Sequence, residues 1–149
     1  MDTINVNVKD TILKSAKKVF ETIIQPEEMS KFFISKASGK MTEGKEIEWE
    51  FDDVGAKVDV NVLKIVEYKQ IEFEWNASGK QAKKVTISLE PEGDKQTNIE
   101  ITESSFEFTQ EGIKKALGQT QGWTDFICSM KAYLYADLNL RKGRSKESR

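Results

Sequence analysis

The sequence predicts an α+β domain: a curved antiparallel sheet of about six strands, two short helices after the first strand, and a long C-terminal helix packed across the sheet. Three observations predict it. Apolar residues recur with period two in short stretches from Thr3 to Ile101, the mark of strands with one buried face. Trp123, Phe126, Ile127, Met130, Leu134 and Leu138 recur at helical spacing near the C-terminus, so one face of a long helix is apolar. Short turn signals separate the later strands, which favours a meander. A lone helix after such a sheet buries its apolar face across the concave side, and that arrangement can enclose a cavity.

Each element has a local reason. Thr3 to Val8 alternates and forms the first strand. Ser15 is placed to cap a helix over Ala16 to Ile24, with Val19, Phe20, Ile23 and Ile24 as its stripe. Pro26 interrupts that helix and opens a second, reaching Phe33, with Glu27 and Glu28 at its positively polarised start. Ser38-Gly39 and Glu43-Gly44 are turns. Ile47, Trp49 and Phe51 then alternate with Glu46, Glu48 and Glu50. Asp52 to Gly55 turns the chain into Val58, Val60 and Val62. The phase slips at Val62-Leu63 and resumes through Ile65, predicting a bulge. Glu67 to Gln70 turns again. Ile71, Phe73 and Trp75 face inward, with Glu72 and Glu74 outward. Asn76 to Gly79 leads to Val85, Ile87 and Leu89, closed by Pro91 to Asp94. Ile99 and Ile101 make the sixth strand, extended or followed by Phe106 and Phe108. Gln110 to Leu117 reads as a separate helical turn ended by Gly118, and the long helix runs from about Trp123 to Leu140.

Composition bounds the chemistry. The 149 residues suit one domain with a substantial core, drawn here as residues 1–140. The rest, 141–149, reads as a disordered basic tail carrying Arg141, Lys142, Arg144, Lys146 and Arg149. Lys and Arg number 23 against 25 Asp and Glu, so net charge −2 gives no reason to expect nucleic acid as a partner. Histidine is absent, which removes Ser-His-Asp and Cys-His catalysis. With one cysteine and no histidine, a zinc or copper site has no ligand set. Neither an EF-hand loop nor a glycine-rich phosphate cradle occurs. No metal, no cofactor and no catalytic residue is therefore expected.

Cys128 is unpaired and lies near the apolar stripe, where it reads as a partly buried filler. A chain without disulfides suits the cytoplasm. Met1 through Asp10 has no basic stretch followed by an apolar one, so no secretory leader is expected. No run approaches the ~18 apolar residues of a membrane span.

The inward phases of strands and helix converge on aromatic residues. Phe33 follows the second helix. Trp49 and Phe51, then Phe73 and Trp75, come from two strands, and Phe106 and Phe108 from the end of the sheet. Trp123, Phe126, Met130 and Tyr133 come from the last helix. These eleven residues either line an apolar pocket or fill a solid core. Aromatic rings offer flat contact area, and methionine adapts to irregular shapes. The glutamates of the strands lie on the opposite, solvated face, paired across strands with Lys57 or Lys83. Only Glu107, Asp125 and Tyr133 are candidates for an inward polar group.

Three stretches carry a family resemblance. Ser15 to Phe33 contains a helix ending at Pro26-Glu27 and then an aromatic pair. Val85-Thr86-Ile87-Ser88-Leu89-Glu90-Pro91 precedes a turn and a threonine-bearing strand. Gly122-Trp123 opens the last helix, with a Tyr-Leu spacing further on. In order and spacing these resemble the START-like, or Bet v 1-like (SRPBCC), superfamily. Within it they are similar to the branch related to the C-terminal domain of the Hsp90 ATPase activator. The resemblance implies a helix-grip fold over nearly the whole chain. Where that branch often carries tryptophans, this chain has Phe20 and Phe32 or Phe33.

The resemblance implies three kinds of function, because one fold hosts many. The first is binding of a small hydrophobic molecule (lipid, polyketide or flavonoid-like) beneath the last helix, with the inward aromatics as its site. The second is a co-chaperone-like domain with a chaperone partner, active in the stress response. The third, ranked last for want of inward polar groups, is a cyclase-type enzyme.

Overall fold

The computed structural model describes residues 2–79 and 81–144. In chain order they form β1 (Thr3–Ile12), α1 (Ala16–Ile24), α2 (Pro26–Met29), β2 (Lys36–Ala37) and β3 (Glu46–Phe51). There follow β4 (Ala56–Val66), β5 (Gln70–Trp75), β6 (Lys83–Pro91), β7 (Thr97–Glu107) and α3 (Gln110–Ala136). The strands make one sheet in the order β1-β7-β6-β5-β4-β3-β2, every pairing antiparallel. The meander accounts for β3 to β7. β1 closes against β7, so the two ends of the sheet's sequence are neighbours in space.

The sheet has seven strands rather than six. The addition, β2, pairs Lys36 and Ala37 with Glu50 and Trp49, and two residues are too few to show a period. β1 also runs on to Ile12, paired with Thr97. The expected bulge is present: the β4–β5 register shifts between Val62 and Lys64. On the outer face Glu50 pairs with Lys57 at 3.2 Å, and its hydrogen bond and charge raise the Lys57 pKa. Glu72 pairs with Lys84 at 3.7 Å rather than with Lys83. Such exposed pairs add little to stability.

The helices differ from expectation in their limits. Ser15 caps α1, its side chain accepting from the Lys18 N–H. α2 stops at Met29 instead of Phe33, because the Met29 carbonyl accepts from the N–H groups of Phe32, Phe33 and Ile34. That turn aims all three side chains into the core. α3 is one continuous helix, not a short turn followed by a long one. Gly118 lies inside it without breaking it, since neither Gly118 nor Gly122 adopts a positive φ and Ala116, Trp123, Phe126, Ile127 and Met130 hold the helix to the sheet.

α3 ends at Asp137, a left-handed C-cap (φ 53°) whose N–H bonds to the Ala132 and Tyr133 carbonyls. Leu138 therefore falls beyond the helix and is exposed, as is Leu140. Cys128 is also exposed rather than a buried filler. It lies one residue, about 100° of helix, past the buried Ile127, while Ser129 and Met130 return to the packed face.

Candidate ligand cavity

A cavity of about 230 Å³ lies between the sheet and the middle of α3. Phe33 comes from the turn after α2, and Phe51, Val54, Ala56 and Val58 from the β3–β4 hairpin. Trp75 ends β5 and Ala77 follows it. Gln119, Gly122, Trp123 and Asp125 come from α3. The aromatic walls brace one another. The Trp75 and Trp123 ring centres are 5.2 Å apart, Phe33 and Phe51 5.2 Å, and Phe33 and Trp123 6.1 Å. Edge and tilted contacts of this kind hold rings in fixed orientations.

Behind the two indoles lies a buried carboxylate. β7 alternates inward through Thr97, Ile99 and Ile101, and the next inward position is Glu103, with no exposed surface. Trp75 Nε1 donates to Glu103 Oε2 at 3.0 Å, and Trp123 Nε1 donates to Oε1 at 2.8 Å. Gln119 Nε2 donates to both oxygens, at 3.0 and 3.3 Å. Among the described residues no lysine or arginine pairs with it. The buried polar group is satisfied by neutral N–H donors alone, which is what makes its position tolerable. It ties β5, β7 and α3 together at one point.

The mouth carries charge. Arg141, just past α3, lies over the rings of Phe33 and Phe51, 5.8 Å from each centre. Its Nη2 bonds to Asp53 Oδ2 at 2.6 Å. Arg144 brackets Asp125 with two hydrogen bonds, 2.9 and 3.1 Å, and these raise the Arg144 pKa. Residues 141–144 thus form a turn that ion-pairs at the cavity mouth. The remaining tail residues, Lys146 and Arg149 among them, lie outside the described residues.

Of the eleven residues read as facing a ligand, Phe33, Phe51, Trp75 and Trp123 border the cavity. Trp49, Phe73, Phe126 and Met130 are buried in the packing behind it. Phe106 is buried too, but it borders a separate hollow of about 150 Å³ at the start of α3, beside Ser78, Gly112 and Lys115. Phe108 does not face inward: it is 59% exposed. β7 has ended at Glu107, and Phe108 spans to the helix cap at Thr109, its N–H bonded to the Asp2 carbonyl. Of the polar candidates, Glu107 is exposed and Asp125 sits at the mouth.

Tyr133 is partly buried, stacks near Phe32 (6.1 Å) and donates its hydroxyl to Glu28. Burial, then that hydrogen bond, pushes its pKa up to about 12. The folded protein therefore holds the phenolic proton more tightly than the unfolded chain. The associated stability is present below pH ~10 and is lost as pH rises from ~10 towards 12. In an absorbance titration at 295 nm, one of the three tyrosines is expected to ionise late, and Tyr133→Phe to remove that late step. A late step that survives in Tyr133→Phe would assign it to another residue.

A seven-stranded antiparallel sheet gripping one long helix, with two short helices after the first strand, defines a helix-grip protein of the START-like superfamily. A model of the family described as activator of Hsp90 ATPase homolog 1-like protein matches residues 14–135. The chain belongs to that family. A search of curated proteins finds no match.

Solved structures share the fold. Protein SSP2350 from Staphylococcus saprophyticus is 25% identical, with a TM-score of 0.80 over 93% of this chain and 96% of that one. The Aha1 dimer from Colwellia psychrerythraea is 21% identical, with a TM-score of 0.75 over 94% and 99%. DynU16, a protein in the dynemicin biosynthetic locus, is 20% identical, with a TM-score of 0.79 over 89% of this chain and 48% of that one. No helix among the described residues is long and apolar enough to cross a membrane.

Proposed function

We propose that this domain binds a small, flat, apolar or aromatic molecule between the sheet and α3. The observation that carries this reading is the cavity of about 230 Å³ walled by Trp75, Trp123, Phe33 and Phe51. An apolar cavity of about 150 Å³ accommodates benzene, so this one suits a ligand of one or two fused rings. It lies below the range of about 300–1,000 Å³ that houses drug-sized ligands, which argues against a sterol or a long acyl chain.

Naphthalene is a suitable probe. Its titration is expected to change the tryptophan fluorescence saturably. Gly122 borders the cavity, and a Cβ built on it meets nothing within 4 Å. Gly122→Leu is therefore expected to occupy the cavity and weaken binding at least about tenfold, the cost of losing ~1.4 kcal/mol of contact, with an unchanged far-UV circular dichroism spectrum. A wild-type titration without saturation would remove the ligand-binding reading.

A second reading draws on the family match: a chaperone of the Hsp90 type as partner. It expects saturable binding of purified Hsp90 in calorimetry that Gly122→Leu leaves intact, because the contact would use the outer surface rather than the cavity. No heat of binding across the micromolar range would dismiss it.

A further inference from the structure

Gln119 borders the cavity and, like Trp75 and Trp123, donates to the buried carboxylate of Glu103. Both indole N–H groups can only donate, and each takes one oxygen of Glu103. The Gln119 amide approaches the same two oxygens. A carboxylate in this setting accepts, so the amide must present its NH2 to Glu103. Its carbonyl oxygen is then the part of the amide that Glu103 does not engage. Gln119 borders the cavity, and among the described residues no other side-chain hydrogen bond engages its amide. The cavity wall is otherwise aromatic or aliphatic up to the charged mouth, where Arg141 is paired with Asp53 and Arg144 with Asp125. The inner polar contact offered to a ligand is thus an acceptor whose orientation is imposed from behind.

We infer that the cavity selects flat aromatic ligands bearing a hydrogen-bond donor, a phenolic hydroxyl in the simplest case. Gln119 is the specificity-determining residue that accepts from this donor. Glu103 is a positioning residue that fixes the direction of the amide. The inference rests on the ligand-binding reading and adds the chemical class of the ligand. The physical basis is asymmetric: a donor meets an acceptor already satisfied on its other side, whereas an acceptor-only ligand leaves the carbonyl unpaired and faces it with a like dipole.

The test compares three probes of similar size by fluorescence titration of the full chain: naphthalene, 2-methoxynaphthalene and 2-naphthol. The expected result is that 2-naphthol binds about tenfold more tightly than either of the others, as one well-made hydrogen bond allows. Burial alone would favour naphthalene, so the hydroxyl must be recognised to reverse the order. Gln119→Leu is expected to abolish the preference, so that 2-naphthol and 2-methoxynaphthalene bind it alike. Glu103→Gln can donate as well as accept, so it releases the Gln119 amide to turn, and the preference should narrow between naphthol and its methyl ether. Equal affinities of all three probes in the wild type overturn this inference and leave the ligand-binding reading standing. Retention of the preference in Gln119→Leu also overturns it. Absence of saturable binding by any probe overturns the ligand-binding reading itself, and this inference with it. The wild-type comparison decides the matter even where a variant fails to fold.

Discussion

Glu103→Ala is expected to destabilise the fold by about 3–5 kcal/mol, read as a lower urea midpoint at an unchanged denaturant slope. The carboxylate serves donors from Trp75, Trp123 and Gln119. Removing it leaves indole N–H groups without an acceptor beneath side chains that are 6% and 2% exposed. Each buried donor left unpaired costs about 1–3 kcal/mol. Glu103→Gln keeps one acceptor oxygen but turns an NH2 towards a donor, so its cost should be smaller, about 1–2 kcal/mol. A Glu103→Ala loss below about 1 kcal/mol would mean that the indoles find other partners, and the three-way link between β5, β7 and α3 would lose its energetic standing.

Gly112→Ala is expected to cost about 3 kcal/mol, at the upper end for overpacking, although alanine is the better helix former by about 1 kcal/mol. Gly112 is buried in the first turn of α3, and its N–H donates to the Thr109 hydroxyl at 3.1 Å. A Cβ there would stand 2.0 Å from the Glu107 carbonyl oxygen and 2.8 Å from its carbon. Backbone at the β7–α3 junction cannot rotate aside as a side chain could, so the helix start must shift. Gly118 is the internal control. It lies on the exposed side of the same helix, its added Cβ meets nothing within 4 Å, and Gly118→Ala is expected to stabilise by about 0.5–1 kcal/mol. Thermal unfolding of the two variants should move Tm in opposite directions. A neutral Gly112→Ala would show that the junction relaxes freely.

Much of the fold was legible because its signals are local. The alternation in Ile47-Trp49-Phe51 and in Ile71-Phe73-Trp75 depends only on the pleat, and all six of these side chains are buried. Ser15 and Pro26 act within one turn of helix. The bulge after Val62 shows as a lost phase in a single strand. Where the local signal is too short or points the wrong way, the structure differs from it. Two residues of β2 carry no period. Gly118 looks like a stop, yet α3 continues because packing of Trp123, Phe126 and Met130 outweighs one glycine. Phe108 keeps the alternating phase of Phe106 after the strand that gave the phase meaning has ended.

The candidate site was legible in its material and not in its geometry. Four of the eleven residues with an inward phase border the cavity, and the others sit behind it, beside it or outside it. Glu103 could have been found, since it follows Ile99 and Ile101 in the same phase. A charge in an inward position reads as a fault, however, until its partners are known. Those partners lie 28, 20 and 16 residues away, on another strand and on the helix. Arg141 likewise reads as part of a solvated basic tail until Asp53 is placed opposite it, 88 residues back in the chain. The apolar face of each element can be read from the residues alone, because it follows from spacing along one segment. Which side chains fill the core, which leave a cavity, and which polar groups meet there is set by how the elements pack together. Those outcomes depend on distances between elements, and period and propensity do not encode them.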